Sequence, residues 1–129
     1  MQNEIIDIIQ YALDNPYEFG TNDCNIMVMR MVDLIAGTNT ADRKYSNSKE
    51  GIKSLKADGY AHTGEIVLKY CDEVEFTIDG DVWLDDENPL IMGIVASNRL
   101  VGINEEHNKF ILTPKPSTGK YYRVRKQHG

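Results

Sequence analysis

Residues 24–36 read CNIMVMRMVDLIA, and only Asn25, Arg30 and Asp33 in that stretch are polar. Apolar side chains therefore surround every turn of a 3.6-residue helix, which leaves it no face to give to water. A helix of this kind belongs at the centre of a domain. Thr21, Asn22 and Asp23 precede it as capping candidates, and Gly37 follows as the stop.

On its N-terminal side, Ile5, Ile8, Ile9, Ala12 and Leu13 share one helical face over residues 4–13, and Pro16 ends the pattern after Asn15. That is a surface helix with one buried stripe. On its C-terminal side, a polar helix is expected over 48–57, closed by Asp58-Gly59, and a further one over 63–71, begun by Thr63. Both look peripheral. After Cys71 the period falls to two: Val74, Phe76 and Ile78 alternate with Glu75 and Thr77. The runs VWL, LIMGIVA, LVGI, KFILT and YYRV follow, separated by Asp, Asn, Gly and Pro clusters. Helices first and strands second give an α+β domain, with N-terminal helices, a central buried one among them, packed on a C-terminal antiparallel meander of five or six strands, an open sheet or a small barrel.

With 129 residues, 41% hydrophobic and 26% charged, the chain has the size and composition of one globular domain, 1–129. The start MQNEIIDIIQ lacks a basic leader before an apolar core, and no apolar run approaches 18 residues. Synthesis in a cytoplasm with no membrane span is the expectation. Cys24 and Cys71 are too few for a disulfide scaffold and are read as reduced thiols. A formal charge of −6 argues against nucleic acid as a partner.

That charge is unevenly placed. Residues 1–108 hold all 20 acids and 8 bases, net −12, whereas 109–129 hold 6 bases and no acid. Eight of the acids fall between Asp72 and Glu87. The simplest reading sets the basic segment beside this acidic stretch. The competing one makes Lys115, Lys120, Arg123, Arg125 and Lys126 a docking face for an acidic partner.

The chemistry is in FGTNDC, Phe19 to Cys24. A thiol in the first turn of a helix faces unpaired N–H groups and the positive end of the macrodipole, which favours thiolate and is expected to lower its pKa. The same position also suits a small buried residue opening an apolar helix. An aromatic-Gly-x-x-Asp-Cys segment at Phe19-Gly20 and Asp23-Cys24, then Gly80-Asp81 before a strand, then Met92-Gly93-Ile94-Val95, resembles the NlpC-type branch of papain-like cysteine peptidases. Gly37, Tyr45, Ser48, Leu55, Gly59 and Tyr122-Arg123-Val124 extend the likeness to a small group of phage-encoded proteins similar to that branch.

The resemblance implies a papain-like fold in which Cys24 is the nucleophile and Asp23 orders the turn before it. Gly80-Asp81 would shape the entry to the strand bordering the cleft. Phe19, Gly20 and Met92 would belong to the binding cleft. The histidine base of that branch falls just before Gly93, where this chain has Met92. A thioether neither holds a thiolate as a partner nor protonates a leaving group, and loss of a general acid/base costs about 10²- to 10⁴-fold in rate. His62, His107 and His128 are the alternatives, with His62 preferred as a base from a loop that could fold over the cleft.

The run DGDVWLDDEN lacks EF-hand spacing, so its acids are read as turn residues rather than a calcium site. Trp83 points opposite to Val82 and Leu84, into a core or toward a partner. No metal and no cofactor is implied. The expected function is a phage-encoded binding or structural protein, in the virion, its tail or its assembly, on a papain-like scaffold with a degenerate Cys-only centre; its partner would be a phage structural protein or a host protein. The alternatives are an active cell-wall peptidase or amidase with Cys24 and a displaced histidine, and a small inhibitor or adaptor of a host protein.

Overall fold

The computed structural model describes residues 2–88 and 90–126. Four helices, α1 (Gln2–Asp14), α2 (Cys24–Ala36), α3 (Ser48–Ala57) and α4 (Thr63–Tyr70), precede six strands. These are β1 (Cys71–Val74), β2 (Val82–Leu84), β3 (Met92–Ala96), β4 (Arg99–Ile103), β5 (Phe110–Pro114) and β6 (Lys120–Val124). The α+β class read from the pattern of periods is the one observed.

Helix α2 is the hub, as its composition demands. Ile26, Met27, Val28, Met29, Met31 and Val32 are all at most 2% exposed. At about 1.5–3 kcal/mol per fully buried large apolar side chain, this one helix carries much of the gross hydrophobic stabilisation. Its start is set by Asp23, whose Oδ1 accepts the Ile26 N–H at 2.7 Å. Its end is set by Gly37, left-handed at φ 75°, whose N–H returns to the Asp33 carbonyl. Helix α1 lays Ile5, Ile9 and Ala12 on the core, and β3 covers it from the sheet side with Met92, Ile94 and Ala96.

All neighbouring strands are antiparallel, in the order β1-β6-β2-β3-β4-β5. Strands β2 to β5 form the expected meander, but β6 returns to lie between β1 and β2. The edges β1 and β5 are not paired with each other, so the ladder is an open sheet rather than a closed barrel. Ser97 and Asn98, at φ 51° and 60°, make the two-residue β3–β4 turn, matching the double positive φ of a type I′ hairpin.

One expected strand is displaced. Alternation at Val74, Phe76 and Ile78 pointed to a strand after Cys71, yet β1 begins at Cys71 itself and stops at Val74. Helix α4 runs directly into it. Residues 75–81 leave the sheet, with Phe76 85% and Ile78 57% exposed. The cause is competition from capping: Asp81 takes the Ile78 N–H at 2.9 Å and Asp79 takes the Ser97 N–H at 2.8 Å, bending the backbone that a longer strand would need straight.

The basic segment meets the acidic one. Lys120 pairs with Glu73, Arg123 with Asp81 and Arg125 with Asp72. Lys115 Nζ donates to Thr77 Oγ1 at 2.8 Å. Four of the five residues proposed as a docking face are thus engaged inside the chain, because inserting β6 beside β1 and β2 places these bases among the acids. The aspartates of 79–86 accept turn N–H groups: besides Asp79 and Asp81, Asp85 accepts from the Glu87 and Asn88 N–H groups and Asp86 from Gly119. Among the described residues no group of three His, Cys, Asp or Glu side chains could hold a metal ion, and no helix is long and apolar enough to cross a membrane.

Candidate functional site

The loop before α2 is built around Asn22 and Asp23. Asn22, 3% exposed, donates through Nδ2 to the carbonyls of Ala12, Asn15 and Pro16, tying the loop to the end of α1. Asp23, 1% exposed, accepts from the Ile26 N–H, from the Gly20 N–H at 2.8 Å and from the Tyr45 hydroxyl at 2.6 Å. Gly20 has φ 84°, and a Cβ there would lie 1.9 Å from the Tyr45 carbonyl oxygen. Asp23 therefore ties the turn together, with Tyr45 as its clamp.

This scaffold presents Cys24 at the tip of α2, buried at 8% exposure. Around its Sγ lie the Tyr17 hydroxyl at 3.7 Å, the Asn25 side-chain amide at 3.4 Å and the Leu90 carbonyl at 3.5 Å. The backbone N–H of Met92 is near enough to favour the charged form of the sulfur. Tyr17 in addition accepts the Cys24 N–H at 3.4 Å. Met92, the residue before Gly93, is buried and lines the same cavity as Cys24.

The thiol differs from its expected state. Burial pushes the Cys24 pKa up, and the neighbouring Asp23 carboxylate adds to the rise. Hydrogen bonds from Tyr17, Met92 and Asn25 oppose it without reversing it. The helix tip alone does not make a thiolate here, because the same packing that buries α2 also removes water from the sulfur. Tyr17 and Tyr45 are likewise raised, chiefly by burial, and stay protonated.

Cys24 opens on a cavity of about 390 Å³ between the α2 tip, α3 and the sheet. Phe19 and Ile91, both nearly half exposed, stand on its wall, with Tyr45, Leu55, Trp83 and Met92 further along. The preferred base, His62, is not on this wall. It occupies the N-cap of α4, where its Nδ1 is buried with no hydrogen-bond partner among the described residues. His107, exposed at φ 57° in the β4–β5 loop, does line the cavity. His128 lies outside the described residues.

Gly80 and Asp81 are likewise away from the cavity wall. Gly80 packs against Ile5 and Met31, and Asp81 is gripped by Arg123 at the entry to β2. They hold the strand that carries Trp83 to the cavity. Trp83 is buried and its Nε1 donates to the Thr118 carbonyl at 2.9 Å. The sequence reading missed Tyr17, Asn25 and the Leu90 carbonyl as neighbours of the sulfur. Tyr45 was noted only as part of a resemblance, and nothing in local periodicity places a loop tyrosine 22 residues away against Asp23.

No curated protein and no solved structure matches this chain. The family model described as domain of unknown function DUF6950 matches residues 1–124, and the chain belongs to that family.

Proposed function

We propose that this chain is a non-catalytic binding or structural protein on a papain-like scaffold of NlpC type, a component of a phage virion, its tail or its assembly whose partner is another protein. The single observation that carries it is the company of Cys24: tyrosine, asparagine, a carbonyl and the Met92 backbone, with no imidazole among its hydrogen-bond partners in the described residues. A raised thiol whose proton is held by a carbonyl rather than taken by a base is a poor nucleophile. The phage assignment rests on resemblance alone.

Incubation of the pure chain with peptidoglycan fragments and with peptide, ester and amide substrates is expected to give no turnover above that of Cys24→Ala. Turnover that depends on Cys24 overturns the reading. One observation favours an active hydrolase as runner-up: His107 shares the cavity with Cys24. Activity lost in both Cys24→Ala and His107→Gln would establish it.

A further inference from the structure

The cavity beside Cys24, about 390 Å³, falls in the size range of ligand sites. Met29, Trp83, Met92 and Leu100 are buried on its wall, and Phe19 and Ile91, 45% and 47% exposed, stand at its mouth. Most polar side chains of the wall are already engaged within the chain. Tyr17 and Asn25 bond to Cys24, Tyr45 to Asp23, and Arg43 to Thr40, Ser54 and Asp58. Trp83 and Thr113 donate to the carbonyls of Thr118 and Leu100, and Thr63 Oγ1 is sealed from solvent. Two remain open: Ser48 and His107 are exposed, and neither side chain has a hydrogen-bond partner among the described residues. A hydroxyl and a neutral imidazole each give and take a hydrogen bond, as a peptide group does in return.

Three ordered loops set the charge around this mouth. Glu18 precedes Phe19 in a loop closed by its own N–H on the Asn22 carbonyl at 3.1 Å. Glu87 comes shortly before Leu90 and Ile91, in a turn where Asp85 takes the Glu87 N–H at 3.0 Å and Asn88 takes the Leu90 N–H at 2.9 Å. Glu105 and Glu106 precede His107, and there Asn104, 8% exposed, accepts the Asn108 N–H on its side chain at 3.0 Å and the His107 N–H on its carbonyl at 3.1 Å. All four glutamates are exposed, and their carboxylates have no hydrogen bond or ion pair among the described residues.

This sets them apart from Asp72, Glu73 and Asp81, which the bases of residues 120–125 neutralise. Lys109 is the one Lys or Arg in the three loops, while Lys44 and Lys49 lie with Asp42 on the α3 side. Four unpaired carboxylates against one ammonium leave the loop side of the mouth negative, which attracts a cation and repels an anion.

We propose that this mouth docks a segment of the partner protein in which a large apolar side chain enters past Phe19 and Ile91, flanked by lysine or arginine that meet Glu18, Glu87, Glu105 and Glu106. Ser48 and His107 hydrogen-bond its peptide groups. The inference rests on the protein-partner reading above and deepens it by naming the chemistry of the contact.

The one tryptophan, Trp83, lines the cavity and serves as reporter. The full chain is titrated with three capped tripeptides, acetyl-Lys-Leu-Lys-amide, acetyl-Glu-Leu-Glu-amide and acetyl-Lys-Ser-Lys-amide, while Trp83 emission is followed. The first should give a saturable change at one peptide per chain. The glutamate peptide should bind at least about fivefold more weakly, from like charge at the rim. The serine peptide should bind at least about tenfold more weakly, from the lost apolar burial. Raising sodium chloride to about 0.5 M should weaken the first peptide at least about threefold. Glu105→Gln with Glu106→Gln changes exposed residues, so the fold should persist by circular dichroism while the preference for lysine over glutamate falls at least about twofold.

An unsaturable response to the first peptide overturns the proposal. So does equal affinity for the lysine and glutamate peptides, or a preference unchanged in the double variant. Cys24-dependent turnover alongside lysine-selective binding would sink the non-catalytic reading and leave this docking site standing; absent turnover without that selectivity would do the reverse.

Discussion

Arg123 grips Asp81 through two parallel hydrogen bonds, Nε to Oδ1 at 3.0 Å and an Nη to Oδ2 at 2.9 Å. The carboxylate is 1% exposed and the two residues are 42 positions apart, so the pair bolts β6 to the entry of β2. Arg123→Met removes one partner and leaves the buried carboxylate uncompensated. Because the guanidinium is itself 40% exposed, the expected loss is at the lower end for such a break, about 3 kcal/mol, read as a shift in the urea midpoint. Replacing both as Asp81→Asn with Arg123→Met should recover part of it.

Gly20→Ala should cost at least about 2 kcal/mol. It asks an L residue to hold a positive φ and drives a methyl group into the Tyr45 carbonyl oxygen. The same variant should expose Cys24, so alkylation of that thiol is expected to accelerate along with the fall in Tm. Unchanged alkylation beside a lowered Tm would show that the Asp23 clamp does not govern access to the sulfur.

Stability should fall as the solution becomes alkaline. Burial raises the Cys71 thiol from its ordinary 9.0 to about 12, and raises Cys24, Tyr17 and Tyr45 in the same direction. Below about pH 9 both folded and unfolded thiols keep their protons and the contribution is complete. Between 9 and about 12 the unfolded chain releases the Cys71 proton while the folded chain retains it, so rising pH favours unfolding. Urea midpoints measured across this window should decline, and Cys71→Ala should flatten the decline.

Met92→His should lower the Cys24 pKa. The position adjoins the sulfur through its own N–H and lines the same cavity, so an imidazolium there can face a thiolate. Thiolate absorbance against pH is the measurement, and a titration no lower than the parent's would remove position 92 from the sulfur's surroundings. Polar substitution at a 3% exposed site also costs stability, about 1–3 kcal/mol.

Phe76→Ser should change stability by less than about 0.5 kcal/mol, since the ring is 85% exposed. Thermal unfolding of the variant checks this. A large loss would place the ring in the core.

These expectations divide along what a chain can say about itself. Helix α2 was legible to the residue because its composition, its Asp23 cap and its Gly37 stop all agree. Helix α3 was legible over 48–57 from its polar composition and its Asp58-Gly59 close, and the structure adds the Asn47 N-cap. The strand expected through Phe76 failed because alternation is indifferent to the caps supplied by Asp79 and Asp81. The insertion of β6 between β1 and β2 left a trace only in charge, acids at 72–87 and bases after 109, which named the neighbours without naming the order. At the site, Cys24 as the helix start and Asp23 as its cap were legible in the sequence. Tyr17 and Tyr45 were not, since what brings them together is the path of two loops. The raised thiol followed from burial, which outweighs a helix end that sequence makes visible.

The slot occupied by β6 has a consequence for biosynthesis. Among the described residues, strand β1 has no neighbour but β6, and β2 has only β3 on its other side, so the halves of the sheet meet through residues 120–124. A nascent chain still holding that segment inside the ribosome can assemble the helices and the β2–β5 hairpins, yet it must leave β1 bare. Fragments ending before Lys120 should therefore be easy prey for proteases at residues 71–74.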